Sequence, residues 1–217
     1  MFSINKQAVC MQVKNERKSN AARAEDTQHA LVTAARRLFA EKGYPATSTP
    51  DIVSEAGVTR GALYHHYKDK AELFRTVLCK ELTAIAEEIE ARTSTDMEPM
   101  EALFAGSDAY FDAISAPGRA KMLLIDGPAA LGFEEIRALG LETGGEELRQ
   151  GLDHLFGDTN PNIDITILSD LFAAMFDRGA LAISMGENSD QYKYHTKLIF
   201  SLLSNLVHTS HENKAID

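Results

Sequence analysis

The sequence predicts an all-α fold, and three observations carry it. Apolar residues recur at helical spacing along most of the chain, and no stretch alternates as a half-buried strand does. The six prolines, Pro45, Pro50, Pro99, Pro117, Pro128 and Pro161, fall between the apolar-periodic runs, where Pro is tolerated. With 217 residues, 44% of them hydrophobic, the chain suffices for one large domain or two small ones.

Residues 1–22 are polar and without period, which predicts a flexible arm. The first helix, Thr27 to Lys42, follows from Leu31, Ala34, Ala35, Leu38 and Phe39, which fall on one face, and Gly43 stops it. Thr49 or Ser48 before Pro50 is a cap and first-turn signal for a second helix, Pro50 to Ala56, ended by Gly57. Thr59 caps a third, Arg60 to about Tyr67, and Asp69 caps a long fourth, Lys70 to about Arg92. Helices then follow over Pro99 to Ser115, a short piece near Arg119 to Leu124, a broken one over Phe133 to Phe156, and two long ones at about Asn162 to Met185 and Ser189 to Ser210. Seven of the fourteen glycines lie between Gly127 and Gly157, so that segment is expected to be bent or mobile, or simply an irregular connection.

Charge divides the chain unevenly. Residues 1–80 carry 13 Lys and Arg against 8 Asp and Glu, whereas residues 81–217 carry 9 against 24, so a basic first part sits in a chain of net charge −10. A local basic patch is all that a polyanion needs, and overall acidity does not exclude one. Cys10 and Cys79 offer neither a disulfide framework nor a metal-type spacing, which points to a reducing, cytoplasmic setting. No membrane span or signal-peptide run is present. Nucleotide-binding, nucleophile-elbow and zinc-protease motifs are absent, so no enzyme activity and no cofactor or metal are expected; His208 and His211 read as a solvated helix end.

The second and third helices, joined by Ala56, Gly57, Val58 and Thr59, have the helix-turn-helix pattern, whose bland competitor is an αα corner in any bundle. Leu63 and Tyr67 share the inward side of the third helix, while Arg60 with Tyr64 and Gly61 with His65 are i, i+4 pairs on the other. In a major groove Arg60 could reach a guanine edge and Gly61 would allow close backbone approach, with Tyr64, His66 and Lys70 suited to phosphates.

Residues 27 to 74, through "LFAEKGY", "AGVTRGALYHHY" and "KDKAELF", resemble the DNA-binding domain of TetR-family transcriptional regulators. The resemblance implies a helix-turn-helix DNA-binding domain at 23–70 and a larger helical domain at 71–217 that dimerises and binds a ligand. It implies that Thr49, Thr59, Arg60, Gly61, Ala62, Tyr64, His65, His66 and Lys70 face DNA; Pro50 departs from members with a polar or basic residue there, and Val53 from the usual small Ala. Lys6, Lys14, Arg17, Lys18 and Arg23 could add minor-groove or phosphate contacts, a solvated tail being the simpler reading.

In the larger part, the apolar arcs of the last two long helices are wider than one core needs. Leu168, Leu171, Phe172, Met175, Phe176, Gly179 and Ile183 mark one, Tyr194, Leu198, Ile199, Leu202 and Leu203 the other. They are expected to pair with their copies in a four-helix homodimer interface that matches a palindromic site, against the alternative of burial in one chain's core. Phe104, Phe111, Met122, Phe133, Phe172 and Met175, with Asp108 and Asp126, are the candidate walls of a small-molecule pocket; Tyr110, Asp112 and His154 are further candidates, and core packing is the competing reading for the apolar ones. The expected function is a homodimeric repressor released from its operator by a small molecule. The alternative is a ligand-independent repressor or architectural factor whose larger domain binds a protein.

Overall fold

The computed structural model describes residues 20–212 except 95, 144–146 and 158–162; for 147 and 206–212 it describes the backbone alone. Every regular element among them is helical: α1 (Asn20–Lys42), α2 (Thr49–Ala56), α3 (Arg60–His66), α4 (Lys70–Arg92), α5 (Pro99–Ile114), α6 (Arg119–Lys121), a π turn (Met122–Asp126), α7 (Gly127–Leu131), α8 (Phe133–Glu142), α9 (Glu147–Phe156), α10 (Ile165–Ser184) and α11 (Ser189–Glu212). No strand occurs among the described residues.

The predicted caps fix the first elements. Ser48 accepts from the Asp51 N–H while Asp51 accepts from the Ser48 N–H, a reciprocal pair that starts α2. Thr59 accepts from the Ala62 N–H and Asp69 from the Glu72 N–H, starting α3 and α4. Gly57 ends α2 at φ 65°, a left-handed conformation that glycine adopts without penalty.

Two expectations needed correction. Residues 20–22, placed in the arm, are helical, because the Ala-rich start of α1 has high intrinsic propensity though it lacks an apolar period. Residues 1–19, with Lys6, Lys14, Arg17 and Lys18, lie outside the described residues; Arg23 is exposed on α1. Pro128 does not fall between helices but inside a continuous helical path from Arg119 to Leu131. In a regular helix its ring would meet the carbonyl four residues back. Here the Gly127 N–H reaches back five residues to the Met122 carbonyl, so the backbone is already widened where the ring enters.

The buried side chains form two clusters. The first gathers Leu31, Leu38 and Phe39 of α1, Ile52 of α2, Leu63 of α3 and Leu73, Phe74 and Leu78 of α4, and extends to Ile114, Met122, Leu123 and Leu139. It therefore includes residues on both sides of position 70. The second joins Leu103 and Phe111 of α5, Leu152 and Phe156 of α9, Phe172 and Phe176 of α10 and Phe200 of α11, with the Phe172 and Phe200 rings stacked at 4.5 Å. The glycine-rich stretch is partly explained by close packing: a Cβ on Gly127 would meet Ile136 and Leu78 at 3.0 and 3.2 Å, and one on Gly151 would meet Leu103 at 2.8 Å. Gly144 and Gly145 lie outside the described residues.

Candidate nucleic-acid interface

Helix α3 is held from below and open above. Leu63 and Tyr67 sink into the first cluster, whereas Arg60, Gly61, Tyr64 and His65 are exposed. Ala62 and His66 flank that surface, half-buried, and Thr59 is exposed at the cap. Thr49, the first residue of α2, borders the same surface, and the Thr49 and Arg60 side chains beside the Tyr64 hydroxyl hold the phenol below its ordinary range. The Arg60 guanidinium sits 5.4 Å from the Tyr64 ring centre. The His65 and His66 rings meet edge to face at 5.3 Å. An exposed Arg, a hydroxyl-bearing ring, two imidazoles and a glycine on one helix face can serve base edges and phosphates.

Lys70 stands apart from this surface. Its ammonium donates to the backbone carbonyls of Tyr44 and Thr47, each at 2.9 Å, and lies 4.0 Å from the centre of the Tyr44 ring. Burial pushes its pKa down. Tyr44 in turn stacks on Phe74 at 4.5 Å, and its backbone N–H donates to Asp126 at 3.0 Å.

That last contact is a polar link between the first three helices and the rest, and Glu81 makes another. Asp126 is buried, yet it accepts from Lys121 at 2.6 Å as well as from Tyr44. Glu81 of α4, also buried, accepts from Arg36 of α1 at 3.2 Å and from Arg119 of α6 at 2.7 Å. Burial pushes the Glu81 carboxyl up, but the two guanidiniums outweigh it and hold the group below the usual glutamate range.

The candidate pocket residues do not form one wall. Met122 belongs to the first cluster, and Asp126 is buried and already paired with Lys121. Phe104, Phe111, Phe172 and Met175 belong to the second, Phe111 and Phe172 as buried core. Phe133, at 69% exposure, opens α8 on the surface directly after Gly132, which has φ 95°. Asp108 gives one oxygen to Lys197 at 2.5 Å, while the other is buried and has no hydrogen-bond partner among the described residues. Asp112 is held between Arg92 and Lys193, Tyr110 donates to Asp177 at 3.0 Å, and His154 is exposed. Two shallow clefts, of about 220 and 380 Å³, open instead along α1, around His29 and Thr33.

Among the described residues no group of His, Cys, Asp and Glu is arranged to hold a metal ion, and no helix is long and apolar enough to cross a membrane. The side chains of His208 and His211 lie outside the described residues.

A helical protein with a capped helix-turn-helix and an exposed polar recognition face is the class that fold and site define. The model of the bacterial regulatory proteins of the TetR family matches residues 31–77. The TetC protein of transposon Tn10 from Escherichia coli is 31% identical over 134 residues, 61% of this chain and 65% of that protein. The helix-turn-helix transcriptional regulator AcrR of Shigella flexneri is 44% identical over 54 residues, 25% of each chain. The crystal structure of a TetR-family transcriptional regulator from Pectobacterium atrosepticum superposes with a TM-score of 0.63 at 27% identity, over 86% of this chain and 95% of that one. The sequence matches thus span less than two thirds of these two curated relatives. Residues 31–77 thus match the TetR-family domain, and the chain shares the fold of that TetR-family regulator.

Proposed function

We propose that this protein is a sequence-specific DNA-binding transcriptional regulator of the cytoplasm, a homodimeric repressor that leaves a palindromic operator when a small molecule binds its larger part. The observation that carries the reading is the α3 face: a helix of seven residues, anchored by Leu63 and Tyr67, turns Arg60, Gly61, Tyr64 and His65 to solvent. A corner in an ordinary bundle has no use for that set. A second feature supports the dimer. Phe172, Phe176 and Gly179 enter the chain's own second core, yet Ile167 and Leu171 of α10 and Tyr194, Leu198, Ile199 and Leu202 of α11 remain exposed at helical spacing. Such a stripe is the kind of surface a two-fold interface covers.

The test is to incubate the purified protein with fragmented genomic DNA of its source at near-physiological salt, then recover and sequence what it holds. A short two-fold symmetric motif with half-sites roughly one helical turn apart supports the reading. Enrichment without a motif refutes it. The packing of Phe111, Met122 and Phe172 favours a second reading for the larger part, a ligand-independent regulator that binds a protein there. A raised melting temperature with any small molecule of a screen would decide against that alternative.

A further inference from the structure

We propose that operator binding takes up protons at His65 and His66, so that acidity is a second ligand of this protein and tightens its hold on DNA. The inference rests on the DNA-binding reading above and adds a regulatory variable to it.

Two side chains on the α3 face can change charge between pH 5 and 8, and both are imidazoles, because Arg60 is a permanent cation. His65 is exposed and His66 half-buried beside it in the last turn of α3, with their rings edge to face at 5.3 Å. Among the described residues neither ring has a hydrogen-bond or ion-pair partner; they touch each other, and His66 also lies 6.4 Å from the Tyr67 ring. The carboxylates on the elements packed around α3 are engaged elsewhere, and the remaining charges are positive. On α1, Glu41 pairs with Arg37 at 3.2 Å, and His29 lines a cleft with Glu55 and Ala56 of α2. On α2, Glu55 also pairs with Arg37, and Asp51 accepts from Ser48. At the start of α4, Asp69 accepts from the Glu72 N–H, Glu72 accepts from the Lys68 N–H, and Lys70 donates to Tyr44 and Thr47. Lys42 and Lys68 are exposed cations.

Protonating either imidazole in the free protein thus adds a cation to a face that has no anion to receive it. A DNA phosphate supplies that anion and favours the charged ring. By reciprocity the charged ring favours the phosphate, so affinity rises as pH falls through the range in which the free imidazoles are neutral and the bound ones charged.

The test titrates the unmodified protein into an operator recovered by the genomic selection, by calorimetry at pH 7 in two buffers of different ionisation enthalpy, which together count the protons taken up. About one proton per chain is expected, with affinity per chain rising about tenfold from pH 8 to pH 6 and the slope of log affinity against log salt steepening by about one per chain. Carboxylates ordinarily stay ionised over that range and do not add to the change. The double variant His65→Gln, His66→Gln is expected to bind without the uptake, its affinity nearly level between pH 6 and pH 8. A selected operator bound with no proton uptake, or an uptake that the double variant retains, overturns the proposal. If the double variant does not fold or bind, His65→Gln alone decides, since His65 is exposed: it is expected to lower the uptake, and an undiminished uptake overturns the proposal. If the unmodified protein selects no motif, the DNA reading falls and this proposal with it, whereas a motif bound without protons overturns this proposal alone.

Discussion

Arg60 stands at the first position of α3, exposed and steered by the Tyr64 ring, where a guanidinium can make a two-pronged contact to a guanine edge. Arg60→Ala is therefore expected to weaken operator binding by about 1 to 3 kcal/mol and to relax choice at one base position, which a selection from randomised operators would read. Glu81 is the inward counterpart. Its pKa is depressed in the folded state by Arg36 and Arg119, so its contribution to stability is fully present above the ordinary glutamate range and is lost as pH falls through the lowered folded value. Glu81→Gln is expected to lower stability at neutral pH by about 2 kcal/mol, less than a fully buried pair because Arg36 is one-third exposed, and to lessen the loss of stability in acid. Urea unfolding at neutral and mildly acid pH would measure both. The outward residues were legible in the sequence because helical spacing alone separates Arg60 and Tyr64 from Leu63. Glu81 left a fainter sign, a charge in line with Val77 and Ile85 on the buried side of α4, and such a charge calls for a partner. Nothing local marks the hold of Lys70 on the Tyr44 carbonyl or of Asp126 on the Tyr44 N–H, since those partners are backbone groups 26 and 82 residues away.

Elements declare themselves through their ends. Ser48, Gly57, Thr59 and Asp69 are residues whose chemistry suits a cap or a left-handed turn, and each ends or begins a helix where that chemistry predicts. The π turn could not be read this way, because its composition, Met-Leu-Leu-Ile-Asp, suits an ordinary helix; Pro128 was the one hint, and it reads more simply as a break. In α10 the apolar arc was visible, but which part faces the chain's own core depends on the angle at which α10 meets α5 and α11. The exposed remainder of α11 yields a prediction at this scale. Leu202→Glu, at a position 53% exposed, is expected to leave the fold intact and convert the proposed dimer to monomer, with operator affinity falling because the two half-sites are no longer held together. Light scattering on the eluting protein and an operator titration would check it, and a dimer that persists would place the interface elsewhere.

Over the whole molecule, the helix-turn-helix is joined to the remainder by continuous packing and by the Glu81 and Asp126 links, with Gly118 closing the approach. Gly118 has φ 75°, and a Cβ there would lie 2.6 Å from Ala40 Cα, so α1 and the start of α6 touch backbone to backbone. Halves joined so closely are expected to melt as one cooperative unit in calorimetry. The π turn adds a matter of phase. It holds one residue more than a regular turn, and that surplus decides which way Asp126 points when the chain arrives at Gly43 and Tyr44. Winding the same residues as an even helix, which Pro128→Ala makes possible, would leave every residue downstream of the turn rotated by about 100°. The backbone would be more regular and the molecule less joined: helical content by circular dichroism is expected to persist, while the single calorimetric transition splits in two. One surplus residue thus works as a setscrew that clocks one half of the protein against the other.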